Sequence, residues 1–471
     1  MKRILTNGPA LITAGICVLL ILPLLVMDGM FMDAVIYSAV GRNLAEGTGT
    51  FWFPYFSEAH MASPTFHEHP PLAFGFMALF YKLFGSGIHT ERIYTGVTFI
   101  ITAVLIVKFW RMIWPTHYKM AWLPVLLWVI TPLVMWSFRN NMLENTMGLF
   151  VLGGTMAAYR GFKADTRHFY WAAWAGLLVV CGFMVKGLPA LFVWTTPVAF
   201  ALAERKNFWK SILQVVIMMV VAGIATFALY MYEPARESLD IYLFERTANR
   251  LNSVGTTDNS FTIVKVLLEN LIVPFGLTIL VGTIFSRINK ERLQWSPSIS
   301  ALLFMGLAGS VPFMLTTYQY GHYLVPVIPF FALAFASMLR PIIEKTTSKW
   351  RRNVVLQISG WVLIGVGIGI SVYTAGKVGR DSDQLHDVRI LRDNLESGTI
   401  LETDAATNSY WSFKAYLERY AHIRLSDRIQ STESAYQLVP KGAAPNSAHP
   451  IQSDISVQLI EFDLYEADHG E

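Results

Sequence analysis

Residues Asp28–Leu72 read DGMFMDAVIYSAVGRNLAEGTGTFWFPYFSEAHMASPTFHEHPPL and lie between two hydrophobic segments. Two acids, Asp28 and Asp33, stand near the beginning, an aromatic-rich polar stretch follows, and the end reads His-Glu-His-Pro-Pro-Leu. Long connections between structural elements are uncommon and usually functional, and loops carry a large share of binding and catalytic residues. The sequence therefore predicts a functional loop around which the other segments are arranged.

The composition indicates a membrane protein. Of the 471 residues 54% are hydrophobic and only 15% are charged, and the mean hydropathy is +0.42. A soluble globular chain is usually about one quarter charged, so these values predict a polytopic membrane protein. The net charge of +4 is small and its basic residues are spread between apolar segments, which argues against a nucleic-acid partner. Cys17 and Cys181 both lie within apolar segments, which argues against a disulfide framework or a thiolate metal site.

The first apolar segment, Pro9–Met27, has about the length that a helix needs to cross a membrane. Lys2 and Arg3 precede it and no small-residue cleavage site follows, so we interpret it as a retained signal-anchor. With this basic end inside, the loop that begins at Asp28 lies outside. The next apolar piece, Pro70–Phe84, is short and contains a lysine, which favours a helix at the outer interface over a span.

The remaining apolar segments predict the fold class. Together with Pro9–Met27 they indicate an α-helical polytopic membrane protein with about eleven transmembrane helices. The further spans are Ile93–Ile113, Ala121–Trp136, Met147–Tyr159, Phe169–Val185, Leu188–Leu202, Ile212–Tyr232, Leu267–Phe285, Ser300–Leu315, Tyr323–Leu339 and Val354–Tyr373.

The distribution of basic residues sets the orientation of these spans. Every loop that this topology places inside is basic, on the same side as Lys2 and Arg3, as the positive-inside rule requires for the cytoplasmic face. The cationic residues of these loops are Lys108, Arg111, Lys119, Arg160, Lys163, Arg167, Arg205, Lys206, Lys210, Arg287, Lys290, Arg292, Arg340, Lys345, Lys349, Arg351 and Arg352. The sequence thus predicts a multi-pass protein of the cytoplasmic membrane with its functional loop outside.

A different set of ionisable and aromatic residues falls on the outer face. Such groups near a membrane are expensive to keep and indicate a functional site by default. Because the predicted spans show no obvious charged path and few interruptions, the pattern favours an enzyme at the outer leaflet over a transporter. The residues concerned are Asp28, Asp33, His67, Glu68, His69, Arg139, Glu144, Lys186, Arg236, Arg246, Arg250, Lys265 and those from Tyr318 to Tyr323.

Two motifs of the loop carry a resemblance to a known family. The segment Asp33-Ala-Val-Ile-Tyr37, followed by Phe66-His-Glu-His-Pro-Pro-Leu72, resembles the first periplasmic loop of the family 39 glycosyltransferases. These belong to the GT-C superfamily and include the lipid A aminoarabinose transferase and the dolichyl-phosphate-mannose protein mannosyltransferases. The chain departs from the family pattern where Ala34 replaces a second acid, His69 replaces a lysine and Glu144 replaces an aspartate.

The resemblance extends over about the first 375 residues in order and spacing. The further matching positions are Arg139 to Glu144, Lys186-Gly187, Phe244-Glu245, Arg250, His322-Tyr323-Leu324, Pro326 and Pro329. It implies a GT-C membrane domain over 1–375, with 28–72 as its active-site loop, and transfer of a monosaccharide from a polyprenyl-phosphate donor to a hydroxyl acceptor on a lipid, glycan or protein at the outer face.

This chemistry requires a base and phosphate-binding cations, and the residues supply both. Cleavage of the anomeric C–O bond builds positive charge on the sugar and leaves negative charge on the lipid phosphate. Asp33 is the candidate general base. The candidates for the donor phosphate are His69, Lys186, Arg246 and Arg250, since cations, and arginine in particular, bind phosphate well. Tyr323, whose hydroxyl can donate a hydrogen bond, is a further candidate. The candidates for acceptor binding or support are Asp28, Tyr37, His67, Glu68, Arg139, Glu144 and His322.

Structural explanations compete with these roles. Asp33 can cap a helix, Lys186 and Arg139 can extend from helix ends toward the interface, and the outer tyrosines can form an aromatic belt. His67, Glu68 and His69 have a spacing that can ligate a divalent metal, but this signal is weak, and the sequence implies no cofactor. Two other function classes remain open: a flippase or transporter of lipid-linked substrates, and a polymerase or ligase of surface polysaccharide.

The composition changes after Tyr373. The segment Gly376–Glu471 is polar, with amphipathic stretches and with strand-like stretches at Thr399–Glu402 and Ile455–Leu464. The run Pro440–Pro450 is typical of a loop. We predict a small soluble α/β domain on the outer side, without a second catalytic centre.

The predicted topology can be tested with single-cysteine variants. Ser57 and Ser447 both fall on the outer face, so a cysteine at either position should react with an impermeant maleimide in intact cells. Labelling at Ser447 only after permeabilisation would contradict the arrangement of the spans.

Overall fold

The computed structural model describes residues 7–57, 63–247, 259–427, 436–443 and 458–466. Most of this chain is helical. The α-helices are Gly8–Leu25, Met32–Glu46, Leu72–Phe84, Thr90–Ile113, Trp122–Val129, Pro132–Arg139, Leu143–Lys163, His168–Lys186, Thr196–Glu204, Phe208–Tyr230, Glu233–Asp240, Thr262–Asn289, Pro297–Ala308, Ile328–Arg351, Val354–Thr374, Ser382–Asn394, Ala405–Asn408 and Trp411–Tyr416. Short 3₁₀ segments are Pro115–Met120, Leu188–Thr195, Val311–Leu315 and Gly321–Val327, and π-helical turns are Ile241–Thr247 and Leu417–Ala421.

The predicted polytopic helical architecture is confirmed. Among the described residues, eight helices are long and apolar enough to cross a membrane, and a bent pair is a ninth candidate. The two other predicted spans also fall on helices: Leu143–Lys163 covers Met147–Tyr159, and the shorter apolar segment Leu188–Glu204 covers Leu188–Leu202. All the predicted spans are therefore helical, although length and composition alone mark fewer of them as membrane-spanning than the sequence analysis did.

One predicted span, Ala121–Trp136, is broken. The helices Trp122–Val129 and Pro132–Arg139 meet at an angle of 75°. Thr131 has an extended backbone (φ −72°, ψ 122°) and the following residue is a proline at the first position of the second helix. A proline disfavours helical geometry in the residue before it and cannot donate to the preceding turn, so the chain restarts a helix in a new direction. The sequence analysis did not predict this break.

The described chain forms two compact units. The first comprises Met1–Val26 and Thr95–Ala375, and the second comprises Met27–Tyr94 and Gly376–Glu471. The grouping therefore places the loop Asp28–Leu72, which we call the outer loop after its predicted side, in the same unit as the polar C-terminal segment. These units are defined by packing alone. The predicted catalytic domain, residues 1–375, is defined by function, and its bounds therefore need not coincide with those of either unit.

Close helix packing holds the first unit together at its chain ends. The helices Gly8–Leu25 and Val354–Thr374 approach so closely that a Cβ atom on Gly15 would lie 2.6 Å from the Cβ of Leu363. Small residues permit such close backbone approach between membrane helices, where van der Waals packing is a main source of stability. Gly15 thus permits the close contact between the helices Gly8–Leu25 and Val354–Thr374.

The second unit contains the predicted C-terminal sheet. Its strands are β1 (Ile400–Glu402), β2 (Arg424–Ser426), β3 (Tyr436–Pro440) and β4 (Phe462–Glu466), in the order β2-β1-β3-β4. The first two pairings are parallel and β3 pairs antiparallel with β4. The predicted α/β character of the polar segment is confirmed, while most of the predicted loop Pro440–Pro450 lies outside the described residues.

The described residues of the loop, 28–57 and 63–72, belong to this second unit. Isolated bridges join Gly49 to Pro54 and Tyr55 to Thr65, and the Phe66 amide donates to the Pro54 carbonyl at 2.7 Å. The described segments before and after residues 58–62 thus pair as a short antiparallel ribbon. These hydrogen bonds satisfy part of the polar backbone of the loop, and the chain then enters the helix Leu72–Phe84.

Two buried ion pairs join the N-terminal and C-terminal parts of the second unit. Glu418 and Arg419 are adjacent, and both are almost fully buried. Glu418 Oε1 lies 3.2 Å from a guanidinium nitrogen of Arg42, and Arg419 lies 2.7 Å from Glu91 Oε2. Arg419 also donates to the carbonyls of Ser86 and Gly87. Because a buried charge must be paired, these contacts fix where the segments 27–94 and 376–471 meet.

The electrostatics of the pairs follow from burial and from the opposite charges. Burial raises the pKa of the Glu418 carboxyl, and the nearby Arg42 opposes this effect only in part. For Arg419, burial lowers the guanidinium pKa, but Glu91 and neighbouring tyrosines raise it more, so that the net pKa is above its ordinary value. Arg419 therefore stays charged in the folded protein.

Loss of one partner from such a pair should be costly. In Arg419→Met the carboxylate of Glu91 stays buried without its cation, and we expect a loss of about 3 to 5 kcal/mol in the free energy of unfolding. The exposed pair Arg392–Asp393 provides the control, because Arg392→Met should cost less than about 1 kcal/mol. Thermal unfolding of the purified variants measures both, and equal melting temperatures would contradict the structural role of Arg419.

The structure also improves the choice of labelling positions. Ser57 is fully buried and Ser447 lies outside the described residues, so neither is a clean probe. Ser397, in the second unit, and Ser348, in a predicted cytoplasmic loop and near the end of the helix Ile328–Arg351, are both exposed. In a chain without Cys17 and Cys181, a cysteine at 397 should react in intact cells and one at 348 only after permeabilisation.

Candidate functional site

Asp33 and Tyr37 lie one helical turn apart in the second unit. Asp33 is in the first turn of the helix Met32–Glu46 and is partly exposed. A carboxylate in this position is stabilised by the positive end of the helix dipole. Residues four apart share a face of a helix, so Tyr37 lies on the same side as Asp33. The two predicted site residues are thus presented together by one rigid element.

The end of the loop contacts this helix at Tyr37. The Tyr37 hydroxyl oxygen and His69 Nε2 lie 3.1 Å apart and share a hydrogen bond. Phe66 packs edge-on against Tyr37 and Phe74 in an aromatic cluster. His69 is therefore held by a tyrosine of the helix Met32–Glu46, which lies within the predicted active-site loop.

Other predicted loop residues are more buried. His67 and Glu68 are buried, and the His67 ring packs edge-on against Phe53. Asp28 is also buried; its carboxylate lies 2.6 Å from a guanidinium nitrogen of Arg389 and accepts the Gly29 amide at 2.7 Å. The structure thus gives Asp28 a defined structural contact with the C-terminal segment, which the sequence analysis did not foresee.

A second group of predicted residues meets inside the first unit. Glu144 is fully buried in the first turn of the helix Leu143–Lys163. Lys186 Nζ lies 2.6 Å from Glu144 Oε1, and His322 Nε2 lies 3.6 Å from the same oxygen. Residues that are far apart in the sequence therefore form one polar cluster among apolar helices, which is the arrangement expected of a functional site in a membrane protein.

Aromatic rings enclose the His322 side of this cluster. The His322 imidazole is nearly parallel to the rings of Trp136 and Tyr320, with centroids 5.8 Å and 5.3 Å away. Lys186 Nζ lies 5.5 Å from the centroid of the Tyr323 ring, within cation–π distance. Tyr320 and Tyr323, which the sequence offered as members of an interfacial aromatic belt, therefore lie next to the buried side chains of His322 and Lys186.

Gly187 links Lys186 to the segment that carries Arg246. Gly187 has φ +78°, and a Cβ atom at this position would lie 1.8 Å from the Tyr242 hydroxyl oxygen. Tyr242 and Arg246 both belong to the π-helical turn Ile241–Thr247. The absence of a side chain at 187 therefore allows this turn to approach the end of the helix His168–Lys186.

Arg139 ends the second half of the broken helix and is partly buried. Beside it the structure reveals a polar network that the sequence analysis missed. The Ser137 hydroxyl donates to Asn145 Oδ1 at 2.6 Å, and the Asn145 amide donates to the Ser137 carbonyl at 3.0 Å. Asn145 follows Glu144, so its two hydrogen bonds fix the start of the helix that carries the buried acid. The only sequence signal was a polar pair at the beginning of an apolar segment.

Two further predictions concern Arg250 and a bound metal ion. Arg250 lies outside the described residues. Within those residues, no cluster of three or more histidine, cysteine, aspartate or glutamate side chains could hold a metal ion.

Comparisons with known proteins agree on the fold. Residues 68–230 match the family described as Dolichyl-phosphate-mannose-protein mannosyltransferase. The structure is similar to that of ArnT from Cupriavidus metallidurans bound to undecaprenyl phosphate, with a TM-score of 0.70, 13% identity and coverage of 97% of each chain. The apo form of ArnT gives a TM-score of 0.69 at 14% identity, again over 97% of each chain.

A more distant similarity extends to another group of enzymes. The oligosaccharyltransferase of Archaeoglobus fulgidus, in complex with Zn and sulfate, gives a TM-score of 0.50 at 11% identity, covering 88% of this chain and 64% of that one. No curated protein matches the chain by sequence. The chain therefore has the GT-C fold that the loop motifs predicted, with its small C-terminal sheet.

The buried pair of the first unit can be tested with a double-mutant cycle. Lys186→Met should leave the Glu144 carboxylate buried without a cation and lower the free energy of unfolding by about 3 to 5 kcal/mol. Adding Glu144→Gln removes the lone charge, so the double variant should be more stable than Lys186→Met alone. Thermal unfolding of the purified variants measures the coupling. Strictly additive losses would mean that the two side chains do not interact.

Proposed function

We propose that the protein is a membrane glycosyltransferase that takes a monosaccharide from a polyprenyl-phosphate donor and transfers it to an acceptor hydroxyl. The observation that carries the proposal is the fold shared over 97% of both chains with ArnT, whose structure contains undecaprenyl phosphate. The match of residues 68–230 to a mannosyltransferase family supports the same reaction class. A lipid-linked donor also explains why the enzyme is embedded in a membrane.

Asp33 is the proposed general base. The acceptor hydroxyl attacks the anomeric carbon, a new C–O bond forms, and the bond from that carbon to the phosphate oxygen breaks with its electron pair going to the phosphate. The hydroxyl proton passes to the Asp33 carboxylate. The position of Asp33 in the first turn of a helix favours the ionised form that a base must have.

The cations are proposed to bind the departing lipid phosphate. Lys186, Arg246 and Arg250 are basic side chains, and a guanidinium can hold a phosphate with two charge-assisted hydrogen bonds. Lys186 is already paired with Glu144, so a phosphate that binds it must compete with this carboxylate. His69 donates to a phosphate through Nδ1 in this proposal, while the hydrogen bond of Nε2 with Tyr37 orients the ring.

The proposed setting is the cytoplasmic membrane with the site on its extracytoplasmic side. The basic clusters of the predicted inner loops support this orientation. In this proposal residues 1–375 form the catalytic domain with 28–72 as its active-site loop, and residues 376–471 form a soluble outer domain that supports the loop. The acceptor is proposed as the hydroxyl of a lipid, a glycan or a protein.

The proposed base gives a direct test. Asp33→Asn keeps the shape of the side chain but cannot accept a proton at neutral pH, so turnover should fall by about two to four orders of magnitude. Binding of undecaprenyl phosphate should stay near the wild-type value, because other residues hold the phosphate. The assay measures transfer from radiolabelled undecaprenyl-phosphate monosaccharides by purified protein. A folded variant with wild-type turnover would refute the role of Asp33 and make Glu144 or Asp28 the next candidate.

Arg250→Ala is the matched control. Loss of one charge-assisted phosphate contact should weaken binding of undecaprenyl phosphate by about ten- to a hundredfold. The two variants thus separate a defect in chemistry from a defect in donor binding. Transfer only from diphosphate-linked glycans would favour the polysaccharide ligase, and movement of the lipid across the membrane without transfer would favour the flippase.

A further inference from the structure

A basic cavity lies at the end of the membrane helix Thr262–Asn289, within the first unit. Its volume is about 370 Å³, and its lining includes Arg287, Lys290 and Arg292. The chain turns back after this helix, so that Leu293 packs against Gly282 and closes one wall. The proposed transfer reaction assigns no role to these residues, because they belong to a predicted cytoplasmic loop.

The three cations of this cavity are available to bind an anion. Arg287, Lys290 and Arg292 are exposed and have no ion-pair partner among the residues that the structure describes. The one acid in the lining, Glu291, lies 2.5 Å from Lys345 and is neutralised by it. The cavity therefore carries a clear excess of positive charge.

Helix termination alone does not account for this charge. A helix C-terminus carries a partial negative charge of roughly one half, which a single cation in the last turn offsets. Arg287 is that residue. Lys290 and Arg292 lie beyond the helix and line the same cavity, so their charges remain in excess.

An apolar surface continues from the cavity along the helix. Leu280, Ile284 and Ile288 recur every four residues, which places them on one face, and each is about half exposed or more. Trp295, which follows the cavity in sequence, is 64% exposed while its indole nitrogen donates to Ser300. An exposed tryptophan with a bonded polar edge is typical of the boundary between acyl chains and headgroups. The surface thus presents cations at headgroup level and an apolar stripe below them.

We infer that this cavity binds an anionic phospholipid of the leaflet on the side of Lys2 and Arg3. Its phosphate lies among Arg287, Lys290 and Arg292, and its acyl chains lie along Leu280, Ile284 and Ile288. Basic pockets on the cytoplasmic side of membrane helices bind acidic headgroups in this way. The site is independent of the proposed transfer reaction, and its test needs no enzyme activity.

The experiment uses native mass spectrometry of the full-length protein in detergent, with phosphatidylglycerol, phosphatidylcholine or glycerol 3-phosphate added. The triple variant R287Q/K290Q/R292Q removes the cavity charges. The control variant K108Q/R111Q/K119Q removes three exposed cations from another predicted cytoplasmic loop. We expect the wild-type protein to bind phosphatidylglycerol at least about tenfold more tightly than phosphatidylcholine, and the triple variant to lose this preference.

Three outcomes would overturn the inference: equal binding of the two lipids, equal loss in the control variant, or binding of glycerol 3-phosphate as tight as that of the lipid. The last would indicate a site for free anions. Because the triple variant could fold poorly, R292Q is measured alone as well. Arg292 lies outside the helix, so this variant should fold normally and weaken phosphatidylglycerol binding several-fold, about the contribution of one cation near a membrane surface. Unchanged binding in R292Q would also contradict the site.

Discussion

The buried charges of Glu418 and Arg419 impose the constraint on which the second unit depends. Two adjacent side chains of opposite sign enter an interior where neither can remain unpaired. One is neutralised by Arg42 and the other by Glu91. Both partners come from the segment 27–94, which contains the loop, so these ion pairs hold the C-terminal residues against that segment. An interior of this kind adds little net stability over an apolar one, but it penalises any arrangement that breaks a pair.

Hydrogen bonds connect these buried charges to the loop. Asn43, beside Arg42, donates to the carbonyls of Tyr55 and Phe56 and to Glu418. The ion pair and the ribbon of the loop are therefore joined through a single amide. A loop held in this way presents Asp33, Tyr37 and His69 on fixed backbone, and precise positioning of this kind is what a base or a phosphate ligand needs.

In the first unit, too, buried charges occur as an ion pair. Glu144 and Lys186 neutralise each other in a dry setting, and His322 and the surrounding aromatic rings complete the cluster. The pairing stabilises each charge in the apolar interior, and in the proposed reaction a phosphate that binds Lys186 competes with Glu144 for this cation.

The sequence by itself determined the class of the protein, because hydropathy and charge asymmetry are local properties that survive without any knowledge of packing. Each of its eleven predicted spans falls on helical residues of the described chain, although eight or nine helices are long and apolar enough to span, and the loop motifs predicted the GT-C fold. The sequence also named Glu144, Lys186 and His322, although it did not predict that they touch. Only the tertiary structure decided the 75° break at Thr131, the partner of Asp28 in Arg389, the Asn145 network and the pairs made by Glu418 and Arg419. Each of these features depends on which distant segments of the chain come together. A buried charge or amide needs a partner, but only the tertiary structure decides which residue lies within hydrogen-bonding distance.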